Sequence, residues 1–190
     1  NGVFVATLGG NPIQDGTASQ TQATVTYTVG AADAARSTLT PTSASITANG
    51  TSTQLLTVTA YDANGNALAS GGASVTITRQ SGTGTISAVT DVGNGTYTAT
   101  VTSPTAVDSG VFVATLGGNP VQDGTASQTQ ATVTYAVGAA DAARSTLTPA
   151  NASITADGTS TQLLTVTAYD ANGNALPAGG ATVTITRQSG

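Results

Sequence analysis

Apolar and polar residues alternate with a period of two over most of this chain, the pattern of half-buried β-strands. In residues 53–61, Leu56, Val58 and Ala60 fall on one face, and Thr57 and Thr59 on the other. In residues 96–102, Tyr97, Ala99 and Val101 point one way and the intervening threonines the other. Val75 and Ile77 give 73–78 an inward face, 85–89 forms the next strand, and Ala131, Val133 and Tyr135 do the same for 130–135. Residues 110–116 are more continuously apolar, as a central strand is. Residues 44–48 alternate and stop at Asn49-Gly50, a turn dipeptide. A further strand opens at Ser37 and breaks at Pro41, which has no N–H to give a ladder. No segment carries the 3.6-residue period of an amphipathic helix. About seven short strands per unit, separated by turn signals, predict an all-β, two-sheet sandwich.

The pattern repeats. Residues 52–68, STQLLTVTAYDANGNAL, recur unchanged at 160–176, and a shift of 108 positions lays 1–82 on 109–190 with 73 identities and nine differences. A fixed period outranks any local reading, because the repeat is the folding unit. The expected division is therefore 1–30 as the last strands of a preceding repeat, 31–138 as a complete repeat, and 139–190 as the first strands of the next. Because it opens and closes in mid-unit, the chain reads as a piece of a longer array. Residues 30–35, Gly-Ala-Ala-Asp-Ala-Ala, read as a small, flexible linker, with a twin at 138–143.

Composition narrows the function. All nine acids are Asp, all four bases are Arg, and the net charge is −5. A chain this acidic has no basic face for nucleic acid or an anionic membrane surface. No stretch approaches the roughly 20 apolar residues of a membrane span. His, Cys, Lys and Glu are absent, so Ser and Thr have no usual base partner for nucleophilic catalysis. We expect no enzymatic activity and no organic cofactor.

The runs Ser37-Thr-Leu-Thr-Pro41, Ile46-Thr-Ala-Asn-Gly-Thr-Ser52, Thr57-Val-Thr-Ala-Tyr-Asp-Ala-Asn-Gly-Asn-Ala67 and Gly95-Thr-Tyr-Thr-Ala-Thr-Val101 resemble the bacterial Ig-like repeats of the intimin and invasin adhesin family. The Asp-x-x-Gly-Asn turn after a Thr/Val strand is the most specific part. The resemblance implies tandem immunoglobulin-like β-sandwich repeats on the bacterial cell surface, acting as an extracellular stalk. The family's disulfide-closed tip modules have no match in this chain.

Two sets of residues remain as candidate sites. Asp33 and Asp141 lie in the linkers, and Asp62 and Asp91 in loops, where oxygen-rich clusters hold calcium. The same Asp also suit turn capping through backbone amides. The second set is Val3 and Val5 in the first segment and Val183 and Ile185 in the last. These would meet if one chain's tail accepted the next chain's head by strand complementation, making a head-to-tail fibre. The leading expectation is a spacer that projects a distal adhesive region, with adjacent copies of the repeat as its partners. A self-assembling fibre and a glycan- or host-protein-binding module are the alternatives, with Tyr61 and Tyr169 as binding anchors for the last.

Overall fold

The structure, a computed structural model, describes residues 1–189. Every regular element in that range is a β-strand. The first segment carries Gly2–Val5 (β1), Thr7–Leu8 (β2), Asn11–Pro12 (β3) and Gln22–Val25 (β4). The complete repeat carries Ala32–Thr40 (β5), Ser43–Thr47 (β6), Thr53–Asp62 (β7), Val75–Gly82 (β8), Thr85–Ile86 (β9), Thr90–Asp91 (β10), Thr96–Thr102 (β11), Asp108–Leu116 (β12), Asn119–Pro120 (β13) and Gln130–Ala136 (β14). Thr146–Thr148 (β15) and Thr165–Thr167 (β16) follow.

The central repeat is a sandwich of two sheets. One has the order β10-β11-β7-β5, with β9 also on β11; the other runs β13-β12-β14-β6, with β8 on β12. The chain changes sheets between β5 and β6 at Pro41, the residue that cannot continue a ladder. Strand β6 then joins β14 in parallel, from Ser43 beside Thr132 to Thr47 beside Ala136. The alternation seen in the sequence becomes the core: Leu56, Val58, Ala60, Tyr97, Ala99, Val101, Phe112, Val133 and Tyr135 are all buried. Burying each large side chain stabilises the unit by about 1.5–3 kcal/mol. Both buried tyrosines keep their hydroxyls paired, as desolvated polar groups require. Ala73 N donates to Tyr97 OH at 2.9 Å, and Tyr135 OH donates to Thr83 O at 3.1 Å.

Two expectations change. The stretch 30–35 is not a free linker, because β5 begins at Ala32 and Ala32 and Asp33 pair with Asp62 and Tyr61 of β7. Alternation is hidden there by a bulge between Asp33 and Thr38. Ser37 fills the bulge: its buried hydroxyl donates to Asp33 O at 2.7 Å and accepts Tyr61 N at 3.1 Å. Likewise 85–89 is not one strand but ends at Ile86, with β10 resuming at Thr90. Ser87 stands in the gap and stays tied to β11, donating its N–H to Thr100 O at 2.9 Å and accepting Thr100 N on its hydroxyl at 3.0 Å.

In the first segment β1 pairs with β4, and Phe4 is 52% exposed while its repeat twin Phe112 is 0% exposed. The strand alone does not bury its apolar face; the second sheet does.

Candidate functional site: the joint between repeats

The Asp-Ala-Asn-Gly-Asn turn closes the end of β7 at the pole where the chain enters the repeat. Gly65 N donates to Asp62 O and Asp62 N to Asn66 O, each at 2.9 Å. Gly65 sits at φ 82°, a left-handed conformation that glycine adopts without steric cost. The turn folds around the carboxylate of Asp62, which is 2% exposed. Its Oδ1 accepts Asn64 N at 3.0 Å and Asn66 N at 2.9 Å, while Oδ2 accepts Asn66 Nδ2 and Gly30 N, each at 2.9 Å. The Asn66 side-chain amide and the Gly30 N–H, with the turn's own amides, hold this carboxyl down at a pKa of about 2. The turn thus grips the incoming chain at Gly30.

The second copy repeats the cage and adds a contact. Asp170 accepts Asn172 N and Asn174 N at 2.9 Å, Asn174 Nδ2 at 2.9 Å and Gly138 N at 3.0 Å. Its pKa is likewise lowered to about 2, chiefly by the Asn174 amide and then by Gly138. Here the turn also docks on the exit pole of the preceding repeat. Asn174 Nδ2 donates to Thr105 O at 2.8 Å, Val107 N donates to Asn174 Oδ1 at 3.3 Å, and Asn172 Nδ2 donates to Ala48 O at 3.3 Å. Asn174 is therefore half-buried where its twin Asn66 is exposed. Ala106, Val107, Tyr135, Val137, Ala175 and Pro177 surround a concavity beside these bonds, giving the joint an apolar side.

The connection itself is short and held. Gly138 is bonded to Asp170, Ala140 forms a bridge with Asp170, and Asp141 N donates to Tyr169 O at 2.7 Å. Ser145 repeats the role of Ser37, donating to Asp141 O at 2.7 Å and accepting Tyr169 N at 3.1 Å. Few rotatable backbone segments are left between the repeats.

The proposed calcium residues stand in surroundings that suit an anion's acceptor oxygens. Asp62 is enclosed by N–H donors, and Asp91 accepts Gly72 N at 2.7 Å and Gly93 N at 2.8 Å. Asp33 and Asp141 each accept one turn amide, from Ala35 at 2.8 Å and Ala143 at 2.7 Å. Among the described residues no three acidic, His or Cys side chains come together as a metal group. Val3 and Val5 lie exposed on β1, and Val183 and Ile185 lie exposed in a segment without ladder partners. Tyr61 and Tyr169 are half-buried, with backbone bridges to Ala67 and Ala175.

The joint was missed in the sequence because the groups that meet Asn172 and Asn174 are backbone ones, the carbonyls of Ala48 and Thr105 and the N–H of Val107, which carry no side-chain signature. One signal does exist: none of the nine differences between copies falls in 50–68, the stretch that ends in the docking turn.

Known proteins agree with this architecture. A search of curated protein sequences gives no match. The sequence profile of the family described as invasin, domain 3, matches residues 33–138 and again 141–190. Among solved structures, the crystal structure of invasin, described as a bacterial integrin-binding protein, is similar at a TM-score of 0.62 and 25% identity, over 92% of this chain and 33% of that one. The Escherichia coli adhesin FdeC is similar at a TM-score of 0.51 and 28% identity, over 88% of this chain and 49% of that one. This chain thus spans half or less of either relative. With a family profile covering most of its length and an all-β sandwich to match, the chain belongs to the invasin domain 3 family of bacterial adhesin modules.

Proposed function

We propose that this chain is a spacer segment of an extracellular bacterial adhesin, holding a distal adhesive region away from the cell surface. The observation that carries this reading is the joint: the turn around Asp170 binds both the connecting Gly138 and, through Asn174, the exit pole of the repeat before it. A spacer must keep its reach, and reach is kept when consecutive repeats are fixed to one another. The outer faces suit the same role. Thr38, Thr59 and Thr96 form one cross-strand row, and Thr40, Thr57, Thr98 and Thr90 another, all neutral and hydrated. They offer neither the aromatic nor the Arg anchors of a binding hot spot.

The test is replacement in the parent adhesin. Exchanging the segment for an unrelated rigid module of equal length should keep cell adhesion, and deleting it should weaken adhesion to recessed targets. Loss of adhesion despite restored length would place the binding activity in this segment instead.

A further inference from the structure

We infer that the complete repeat is built to withstand tension along the chain, with β6 and β14 as a shear clamp. The backbone enters where Ala32 pairs with Asp62, and β5 carries it along the edge of the first sheet to Thr40. Beyond Pro41 it joins the second sheet as β6. It leaves the repeat through β14, whose last residue, Ala136, lies beside Thr47, the last residue of β6. Tension on the array therefore draws β6 toward the entry pole and β14 toward the exit pole.

Because these two strands are parallel, the pulls run in opposite senses along one shared ladder. The ladder spans Ser43–Thr132 to Thr47–Ala136 and is closed at both ends, by Thr132 N donating to Thr42 O at 2.9 Å and Ala48 N donating to Ala136 O at 2.8 Å. Parallel ladders have evenly spaced, slanted bonds. Sliding the strands strains all of those bonds together, whereas opening a ladder from one end breaks them in turn. Residues 48–129 lie between the two clamp strands along the chain, so their backbone is drawn out only after the clamp slides. Upstream, β5 is itself tied to the opposite sheet: Gln122 N, Asp123 N and Gly124 N donate to Ala34 O, Ser37 O and Ala35 O at 3.1, 3.0 and 2.7 Å. Resistance to pulling depends on the barrier along this route rather than on equilibrium stability. The clamp follows from strand order and connectivity, so it stands or falls separately from the spacer role.

Single-molecule pulling on the whole chain tests it. The chain has no cysteine, so attachment points are easily placed. Pulling from the two termini shears the ladder. Pulling through Thr51→Cys and Ala139→Cys, both near the exit pole, opens the same ladder from its Ala48–Ala136 end. The unfolding force should fall to about half or less in the second geometry; equal forces in the two would overturn the clamp. A second comparison uses Ala44→Pro, which removes an N–H that the ladder's alternation turns toward β14, and Val58→Ala, which truncates the core on β7. At matched loss of melting temperature, Ala44→Pro should lower the end-to-end force more. Forces that follow melting temperature alike in both variants would contradict it, and if Ala44→Pro does not fold the pulling geometries decide alone.

Discussion

Asn174 and Thr105 belong to different repeats, yet the Asn174 amide donates to the Thr105 carbonyl at 2.8 Å while it also holds the Asp170 carboxylate of its own turn. One side chain thereby joins three things: the turn, the connecting Gly138 through Asp170, and the exit pole of the preceding repeat. Both amide hydrogens and the amide oxygen have partners, which fixes the orientation of the group.

Asn174→Ala should loosen the joint by about 1–2 kcal/mol, the usual weight of one or two hydrogen bonds with an unmade partner. Amide exchange at Val107, whose N–H loses its acceptor, should quicken by about tenfold. Asn66→Ala removes the same side chain from the first copy, which makes no bond to Thr105 or Val107, and should leave Val107 exchange unchanged.

The caged carboxylates contribute to the acid response together with Asp157, held down chiefly by the Ser160 and Thr159 amides, and Asp108, held down chiefly by the Ser109 amide. Asp62 and Asp170 have folded pKa values lowered from 3.8 to about 2. For a depressed carboxyl the stabilisation is complete above the unfolded value and is lost as pH falls through the folded one. Melting temperature should be flat down to about pH 5 and fall progressively from there to about pH 2. In Asp62→Asn the new amide hydrogens face the Asn66 and Gly30 donors; the variant should melt lower at neutral pH and show a shallower acid drop.

Calcium should do little. Each candidate carboxylate already accepts backbone or side-chain N–H groups, and a cation at Asp62 would meet the positive ends of those donors. Addition of millimolar calcium, then of chelator, should leave the melting curve unmoved. A rise with calcium that chelator reverses would restore Asp33, Asp62, Asp91 and Asp141 as ligands.

Much of this fold was legible in the sequence, for a physical reason. Strands β7 and β11 alternate strictly, and their inward residues Leu56, Val58, Tyr97 and Val101 are all buried. The Asn49 and Asp157 turns read alike because both side chains serve only as acceptors: Asn49 Oδ1 takes Thr51 N and Ser52 N, and Asp157 Oδ1 takes Thr159 N and Ser160 N. The strand from Ser37 to Pro41 was legible, but the first half of β5, from Ala32, was hidden because it lies among alanines beside a bulge held by the buried Ser37, a composition that also suits a linker. The joint was hidden because a turn advertises its own closure through Asp, Asn and Gly, but not the surface on which it rests.

Identical residues in the two copies separate context from chemistry. Phe112→Ala should cost about 3–5 kcal/mol, since Phe112 lies fully inside the sandwich. Within residues 1–190 taken alone, Phe4→Ala, on the half-exposed twin, should change stability by no more than about 0.5 kcal/mol. Denaturant unfolding of the two variants measures both.

The most direct test of the fixed joint is a distance across it. Spin labels at Ala88→Cys and Ala143→Cys, both exposed, would sit on the central repeat and on the segment that follows. A fixed joint gives one narrow distance distribution that broadens in Asn174→Ala. A broad distribution in the unaltered chain, no different from that variant, would contradict it.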